Sequence, residues 1–207
     1  MLVLLLAMPR PRRIFQSEFP YHVYNRTNNE EYLFDLKTTY PIFLKSLKLA
    51  AEKVEFQIHH FILMNNHFHL IGSTPKANLN EFMLTFQTLF SKELNIFYGR
   101  KNHVFDSRYG ATVVKDERYL NNLIKYVYQN SVRAQIVNKA DDYLYSSLLL
   151  YLNDSWSEYG LHLDPYLENF IREQDKLKEH LKELCEVNLD SNTIKFIKKD
   201  LRKNEIA

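Results

Sequence analysis

Apolar and polar positions follow two different periods along this chain. Tyr21-His22-Val23-Tyr24-Asn25 is rich in aromatic and β-branched residues and predicts a first strand. Thr27-Asn28-Asn29-Glu30 is a polar break, with two asparagines that tolerate turn geometry. Phe43, Leu44, Leu47 and Leu49 then recur at near-helical spacing with lysines between them, which predicts an amphipathic helix from about Leu36 to Lys53. Val54 to Met64 predicts a second strand, Asn65-Asn66 a tight connection, and His67 to Ser73 a third strand antiparallel to the second. Thr74-Pro75 stops that strand. Asn78 is placed to cap a helix that runs to about Tyr98, buries Leu79, Phe82, Met83, Phe86, Leu89 and Phe90, and ends at Gly99. A polar loop holding His103, Phe105 and Arg108 leads to a fourth strand, Tyr109 to Lys115. Asp116 then caps a third helix that reaches Asn130 or Ser131.

The order β-α-β-β-α-β-α is the split βαβ, ferredoxin-like pattern of the α+β class: an antiparallel sheet with helices packed on it. The domain is expected to span residues 8–152. Residues 153–207 change character. From 164 onward they are charged and helical in pattern, with Leu177, Leu181 and Leu184 on one face, which predicts a docking helix in an appendage. Residues 1–7 are apolar but too short to span a bilayer, and Arg10, Arg12 and Arg13 follow them where a secretory signal has its charge in front. They read as an upstream extension, with Met8 as the start.

Composition narrows the function classes. The chain of 207 residues is 45% hydrophobic and carries a net charge of +2, so overall charge does not announce a nucleic acid. Its distribution says more, because Arg10, Arg12, Arg13 and Arg26 gather near one end and Lys195, Lys198, Lys199, Arg202 and Lys203 near the other. Only four glycines are present and no glycine-rich phosphate motif occurs, so no nucleotide cofactor is expected. The single cysteine, Cys185, excludes an intramolecular disulfide and a cysteine-based zinc site, which fits a cytoplasmic protein.

The candidate chemistry starts at His67-Phe68-His69. Residues two apart on a strand project to one side, so the two imidazoles can grip one cation from a rigid platform. On the third helix Tyr119, Leu120, Leu123, Ile124 and Val127 form the apolar stripe. Tyr126 and Asn130 are neighbours at its edge, while Lys125, Tyr128 and Gln129 point elsewhere. A cation on His67 and His69 would polarise a scissile phosphate, Asn130 would add an oxygen ligand, and Tyr126 would attack phosphorus. Each residue also has a plainer reading. A histidine pair on a strand is commonly structural, Tyr126 is one of 14 tyrosines, and Asn130 is placed as a helix C-cap. His59 and His60 read as satisfied sheet histidines, with orientation of a metal ligand as the alternative role for one of them, and His22 and His103 read the same way. Arg26, Arg108 and Arg133 are surface arginines by default and candidate phosphate contacts.

At these residues the chain resembles the HUH-type single-tyrosine transposases, and among them the REP-associated tyrosine transposases. Their strand motif, Met-Pro-Asn-His-x-His-Leu, is matched by Met64-Asn65-Asn66-His67-Phe68-His69-Leu70. Their amino-terminal Tyr-His-Val-x-Asn-Arg is matched by Tyr21-His22-Val23-Tyr24-Asn25-Arg26. Their tyrosine helix, Tyr-Ile-x-x-Asn-Pro-Val-x-Ala, is matched by Tyr126-Val127-Tyr128-Gln129-Asn130-Ser131-Val132-Arg133-Ala134, and a trailing Ser-Ser and Tyr-Leu by Ser146-Ser147 and Tyr151-Leu152. Asn65 and Ser131 stand where proline is usual, and Asp106 where glutamine is frequent. The resemblance implies Tyr126 as nucleophile, His67, His69 and Asn130 as ligands of Mg²⁺ or Mn²⁺, and a hairpin in single-stranded DNA as substrate. Arg10, Arg12, Arg13, Arg26, Arg108 and Arg133 are the expected DNA contacts. A monomer and a homodimer are both compatible with it. The expected activity is nicking and strand transfer through a 5′-phosphotyrosine. The rivals are a domesticated, non-cleaving hairpin-binding protein and a metal-dependent hydrolase that forms no covalent intermediate.

Overall fold

A computed structural model describes residues 15–17, 19–28, 32, 35–170 and 173–203. Strands β1 (Pro20–Arg26), β2 (Gln57–Leu63), β3 (His67–Ser73) and β4 (Gly110–Val113) form one antiparallel sheet in the order β2-β3-β1-β4. Helices α1 (Leu36–Val54) and α2 (Leu79–Phe97) are the two crossovers, so the ferredoxin-like expectation holds. The chain continues through α3 (Glu117–Tyr128), the short α4 (Asn130–Arg133), α5 (Ser147–Leu152), α6 (Gln174–Glu186) and α7 (Ser191–Lys203).

Register decides which side chains share a face. Arg26 lies opposite His67, Tyr24 opposite His69 and His22 opposite Ile71. Those six residues therefore point to one side of the sheet, and Val23, Phe68 and Leu70 to the other. The second side packs on α1 and α2. Phe43 of α1 sits at its centre, with its ring 5.6 Å from Phe61, 5.8 Å from Phe68, 5.5 Å from Phe86 and 5.7 Å from Phe90. Most of these are edge-to-face or tilted contacts, each worth about 0.5–1.5 kcal/mol beyond the burial itself. Leu49, expected on the apolar face of α1, is instead 44% exposed, because the buried stripe runs through Phe43, Leu47, Ala50 and Val54.

Glycine is required where the backbone is crowded. A Cβ at Gly110 would lie 2.2 Å from the Tyr24 ring, and one at Gly72 2.4 Å from Phe56. Gly99 ends α2 with φ +61°, as its position after the helix predicts. Asn78 stands at the start of α2, but its side chain does not cap the helix. Its Nδ2 donates to the Val54 carbonyl (2.9 Å) and its Oδ1 accepts from Thr74 (2.7 Å), tying the helix start to the end of α1. Asp116 does cap α3, accepting from Tyr119 N–H at 2.8 Å.

The outer edge of β2 does not face solvent. Leu63 N–H donates to the Tyr145 carbonyl, Phe61 N–H to Ser147 Oγ, and His162 N–H to the Ile58 carbonyl. The segment around α5 thus covers an edge that would otherwise pair with other chains. A bulge between Ile58 and His60 re-aims the two adjacent histidines to different partners. No helix among the described residues is long and apolar enough to cross a membrane.

Candidate active site

Helix α3 lies on the histidine side of the sheet. Its stripe residues Leu120, Leu123, Ile124 and Val127 are buried, and the same packing brings Tyr126 down with them, to 5% exposure. The Tyr126 ring stands edge-on to His69 at 5.6 Å and to His22 at 6.4 Å. His67 and His69 are themselves 5.3 Å apart, ring to ring. The phenol-bearing helix and the imidazole pair, about sixty residues apart in the chain, therefore meet on one face.

The free nitrogens of the pair can be identified. His67 Nδ1 is bonded to Asn66 Oδ1 at 2.7 Å, which leaves its Nε2 for a cation. His69 Nδ1 is bonded to His22 Nε2 at 2.9 Å, which leaves its Nε2. Burial pushes His67 down to about 4 and His69 well below the usual histidine range, so both rings are neutral at pH 7 and carry a lone pair. No group of three His, Cys, Asp or Glu side chains suited to a metal occurs among the described residues. A cation here would need a third donor of another type. Asn130 supplies the right chemistry. Its Nδ2 donates to the carbonyls of Tyr126 (2.9 Å) and Val127 (3.3 Å), so the amide caps the helix with its nitrogen and keeps its oxygen for other use. Capping and ligation are thus compatible. Two neutral imidazoles and an amide oxygen are donors whose chemistry suits a divalent cation of modest affinity.

Arg133 is not a surface arginine. Its guanidinium lies 4.4 Å from the Tyr126 ring centroid, Nη2 donates to the Tyr126 carbonyl at 2.6 Å, and Nη1 is buried without a partner among the described residues. Burial raises the Tyr126 phenol above its usual value, while the charges of Arg133 and Arg26 pull the other way. Arg26 is exposed on β1, on the histidine side. Arg108 is exposed in the loop before β4. Arg10, Arg12 and Arg13 lie outside the described residues.

The far side of α3 departs from the sequence expectation. Tyr128, expected to point away from the packed face, is 1% exposed, and Gln129 is 3% exposed. Tyr128 Oη is bonded to His60 Nδ1 (2.6 Å) and Ser147 Oγ (2.9 Å), and His60 Nε2 to Asp164 Oδ2 (2.7 Å). Gln129 Nε2 donates to the carbonyls of Cys185 and Val187 at the end of α6. A helical wheel with one buried stripe does not show this, because His60 and Ser147 cover Tyr128 while the end of α6 covers Gln129 on a second side of the helix. Leu177 and Leu181 of α6 are buried there, as the docking expectation required.

Residues 15–130 match the family described as Transposase IS200 like. The chain belongs to the IS200-like transposases. No curated protein sequence matches it closely enough to count as a relative. Among solved structures, a REP-associated tyrosine transposase bound to a REP hairpin is similar to this transposase with a TM-score of 0.61. The identity is 16%, over 76% of this chain and 93% of that one. At that identity the likeness speaks for the fold. A proposed transposase from Deinococcus radiodurans aligns at 15% identity over 71% of this chain and 98% of that one, with a TM-score of 0.40.

Two residues of this histidine cluster carry only a weak signal in the sequence. Asn66 read as a turn residue, and its bond to His67 is visible only in the hairpin geometry. His22 is one of several histidines in the chain, and it reaches His69 only diagonally, from the position opposite Ile71 on the shared face.

Proposed function

We propose that this transposase nicks and rejoins single-stranded DNA at a hairpin, with Tyr126 as nucleophile. The observation that carries the reading is the Tyr126 ring 5.6 Å from His69, on the sheet face that also holds His67. His67, His69 and Asn130 would hold Mg²⁺ or Mn²⁺. When bound, that cation supplies Lewis-acid polarisation of the scissile phosphate.

The remaining steps belong to the chain's own groups. Tyr126 Oη attacks phosphorus and loses its proton to solvent. The Oη–P bond forms, the P–O3′ bond breaks, and the departing 3′ oxygen takes up a proton. The product is a 5′-phosphotyrosine and a free 3′-OH. Because one phosphodiester replaces another, a DNA 3′-OH can displace Tyr126 by the same path in reverse and rejoin strands. Arg133 and Arg26 place positive charge beside the phenol as negative charge develops. Arg108, and Arg10, Arg12 and Arg13 near the amino terminus, are the proposed backbone contacts to the hairpin. Activity in the cytoplasm, by a monomer or a homodimer, belongs to the same reading, as does a supporting role for residues 153–207.

The test is incubation of the full chain with a hairpin-bearing oligonucleotide and Mn²⁺, followed by denaturing electrophoresis. A covalent adduct that disappears in Tyr126→Phe, with hairpin binding retained, is the expected result. An adduct that persists in Tyr126→Phe moves the nucleophile elsewhere. Cleavage without any adduct favours a hydrolase.

One observation favours a second reading. Tyr126 is 5% exposed and burial holds its phenol protonated, as in a protein that binds a hairpin without cutting it. Tight hairpin binding with neither nick nor adduct, across Mg²⁺ and Mn²⁺, would establish that reading.

A further inference from the structure

His22 is the third imidazole of the site. It is fully buried on β1, stacked on His69 with ring centroids 5.0 Å apart and planes 25° from parallel. Its Nε2 is 2.9 Å from His69 Nδ1, and its own Nδ1 has no partner among the described residues. As neutral imidazoles each ring carries one N–H, and only one of the two facing nitrogens can hold its proton in the shared bond.

Two neutral rings sharing one hydrogen bond have two arrangements. In the first, His22 Nε2–H donates to His69 Nδ1, and the His69 proton sits on Nε2. That nitrogen then has no lone pair for a cation, and the unpartnered atom is an acceptor, His22 Nδ1. In the second, His69 Nδ1–H donates to His22 Nε2. The His69 Nε2 lone pair is then available, and the unpartnered atom is a donor, His22 Nδ1–H. Each arrangement leaves one buried polar atom unsatisfied, at a comparable cost. Neither is strongly favoured by the protein alone. His67 differs, because Asn66 Oδ1 can only accept, which already fixes the proton on His67 Nδ1.

We propose that His22 is a positioning residue for the metal site, accepting the Nδ1 proton of His69 and thereby holding His69 Nε2 ready to ligate. His67 is preset for the cation and His69 is switchable, with His22 as the group that receives the switched proton. No ring changes charge in the process. The proton changes nitrogen within each ring. The inference rests on His67 and His69 being the cation ligands, as proposed above.

Mn²⁺ binding to the full chain, measured by electron paramagnetic resonance, tests it without any need for DNA cleavage. His22→Leu removes the acceptor and should weaken Mn²⁺ about 10- to 100-fold. His22→Gln places an amide oxygen where Nε2 lies and should restore most of that loss. Equal affinity of His22→Leu and wild type, or His22→Gln as weak as His22→Leu, overturns the role of His22 while leaving the ligand pair standing. Absence of Mn²⁺ binding in the wild type, or binding indifferent to His67→Ala, overturns the ligand reading and the inference with it. A measurement on the wild type covers the case in which a variant fails to fold. Nitrogen-15 shifts of the histidine rings under saturating Zn²⁺ should report His69 protonated on Nδ1. A loaded protein with His69 protonated on Nε2 overturns the proposal.

Discussion

The guanidinium of Arg133 lies 4.4 Å from the centre of the Tyr126 ring and is tied by Nη2 to the carbonyl of the same residue. Both contacts run within the α3–α4 unit, seven residues apart, so the cation stays with the phenol whatever the helix does relative to the sheet. A half-desolvated cation–π contact and a charge-assisted bond together are worth about 2 kcal/mol or more. Both contacts exist before reaction, so only the part that strengthens as the phenol loses its proton reaches the rate. Arg133→Gln should therefore slow adduct formation on a hairpin oligonucleotide by about 10-fold at saturating DNA. Arg133→Lys should recover only part of this, because an ammonium cannot lie flat on the ring and reach the carbonyl together. Adduct rates in Arg133→Gln equal to wild type would show that the stacked cation is only structural.

Asp164 and His60 form a buried pair at 2.7 Å with neither side chain exposed. Burial raises the Asp164 carboxyl, but the bonds from His60 and from Leu167 N–H outweigh it and hold the group below its ordinary value. The pair joins the segment beyond α5 to β2, and through Tyr128 to the tyrosine helix. Asp164→Ala removes the partner of His60 Nε2 and leaves that nitrogen buried and unsatisfied, which costs about 1–3 kcal/mol. Urea denaturation should show this as a lower midpoint. Because the folded carboxyl is depressed, its contribution is complete above about pH 4 and lost as pH falls through the folded value.

Much of this arrangement was legible in the chain. Alternation around His67-Phe68-His69 fixed the strand and the shared face, and the stripe from Leu120 to Val127 fixed which way α3 packs. Two periods in the right order were enough for the ferredoxin-like topology. The far side of α3 was not legible, because Tyr128 meets His60 and His60 meets Asp164, and Gln129 meets Cys185 and Val187, only through contacts more than fifty residues apart. Arg133 was misread for a related reason. An arginine after a helix is exposed unless a ring lies beneath it, and the short α4 is what folds Arg133 back over Tyr126. Asn78 shows the limit of local rules, since Val54 and Thr74 outcompeted the helix for its amide.

The buried histidines predict a second pH response. Burial pushes His22 down to about 3 and His59 to about 4, while the unfolded chain protonates near 6.5. Below pH 6.5 the unfolded state therefore takes up protons that the native state refuses, and stability falls with falling pH. The stabilisation is complete above about 6.5 and declines through the window down to about 4. Two such rings give a slope of roughly 2–3 kcal/mol per pH unit near pH 5. Denaturant midpoints at pH 7.5, 6 and 5 should fall progressively. A flat profile over that range would mean that these rings already carry charge in the native protein.

Gly110 should be intolerant of any side chain, for a reason that reaches the site. It pairs with Tyr24 in the β1–β4 register, and a Cβ there would lie 2.2 Å from the Tyr24 ring. That ring stands 5.9 Å from both His22 and His69, on the face where Tyr126 packs. Gly110→Ala must push Tyr24 out of its place, at a cost of about 1–3 kcal/mol for overpacking. The displaced ring then presses on the imidazole stack, so the histidine nitrogen-15 shifts should move in the same variant. The two effects have one cause and should be relieved together. Tyr24→Ala alone leaves a void, whereas Tyr24→Ala added to Gly110→Ala removes the clash. The double variant should lose less stability than the sum of the two single changes, by about 1 kcal/mol or more. Strict additivity in thermal denaturation would place the Gly110 clash somewhere other than Tyr24.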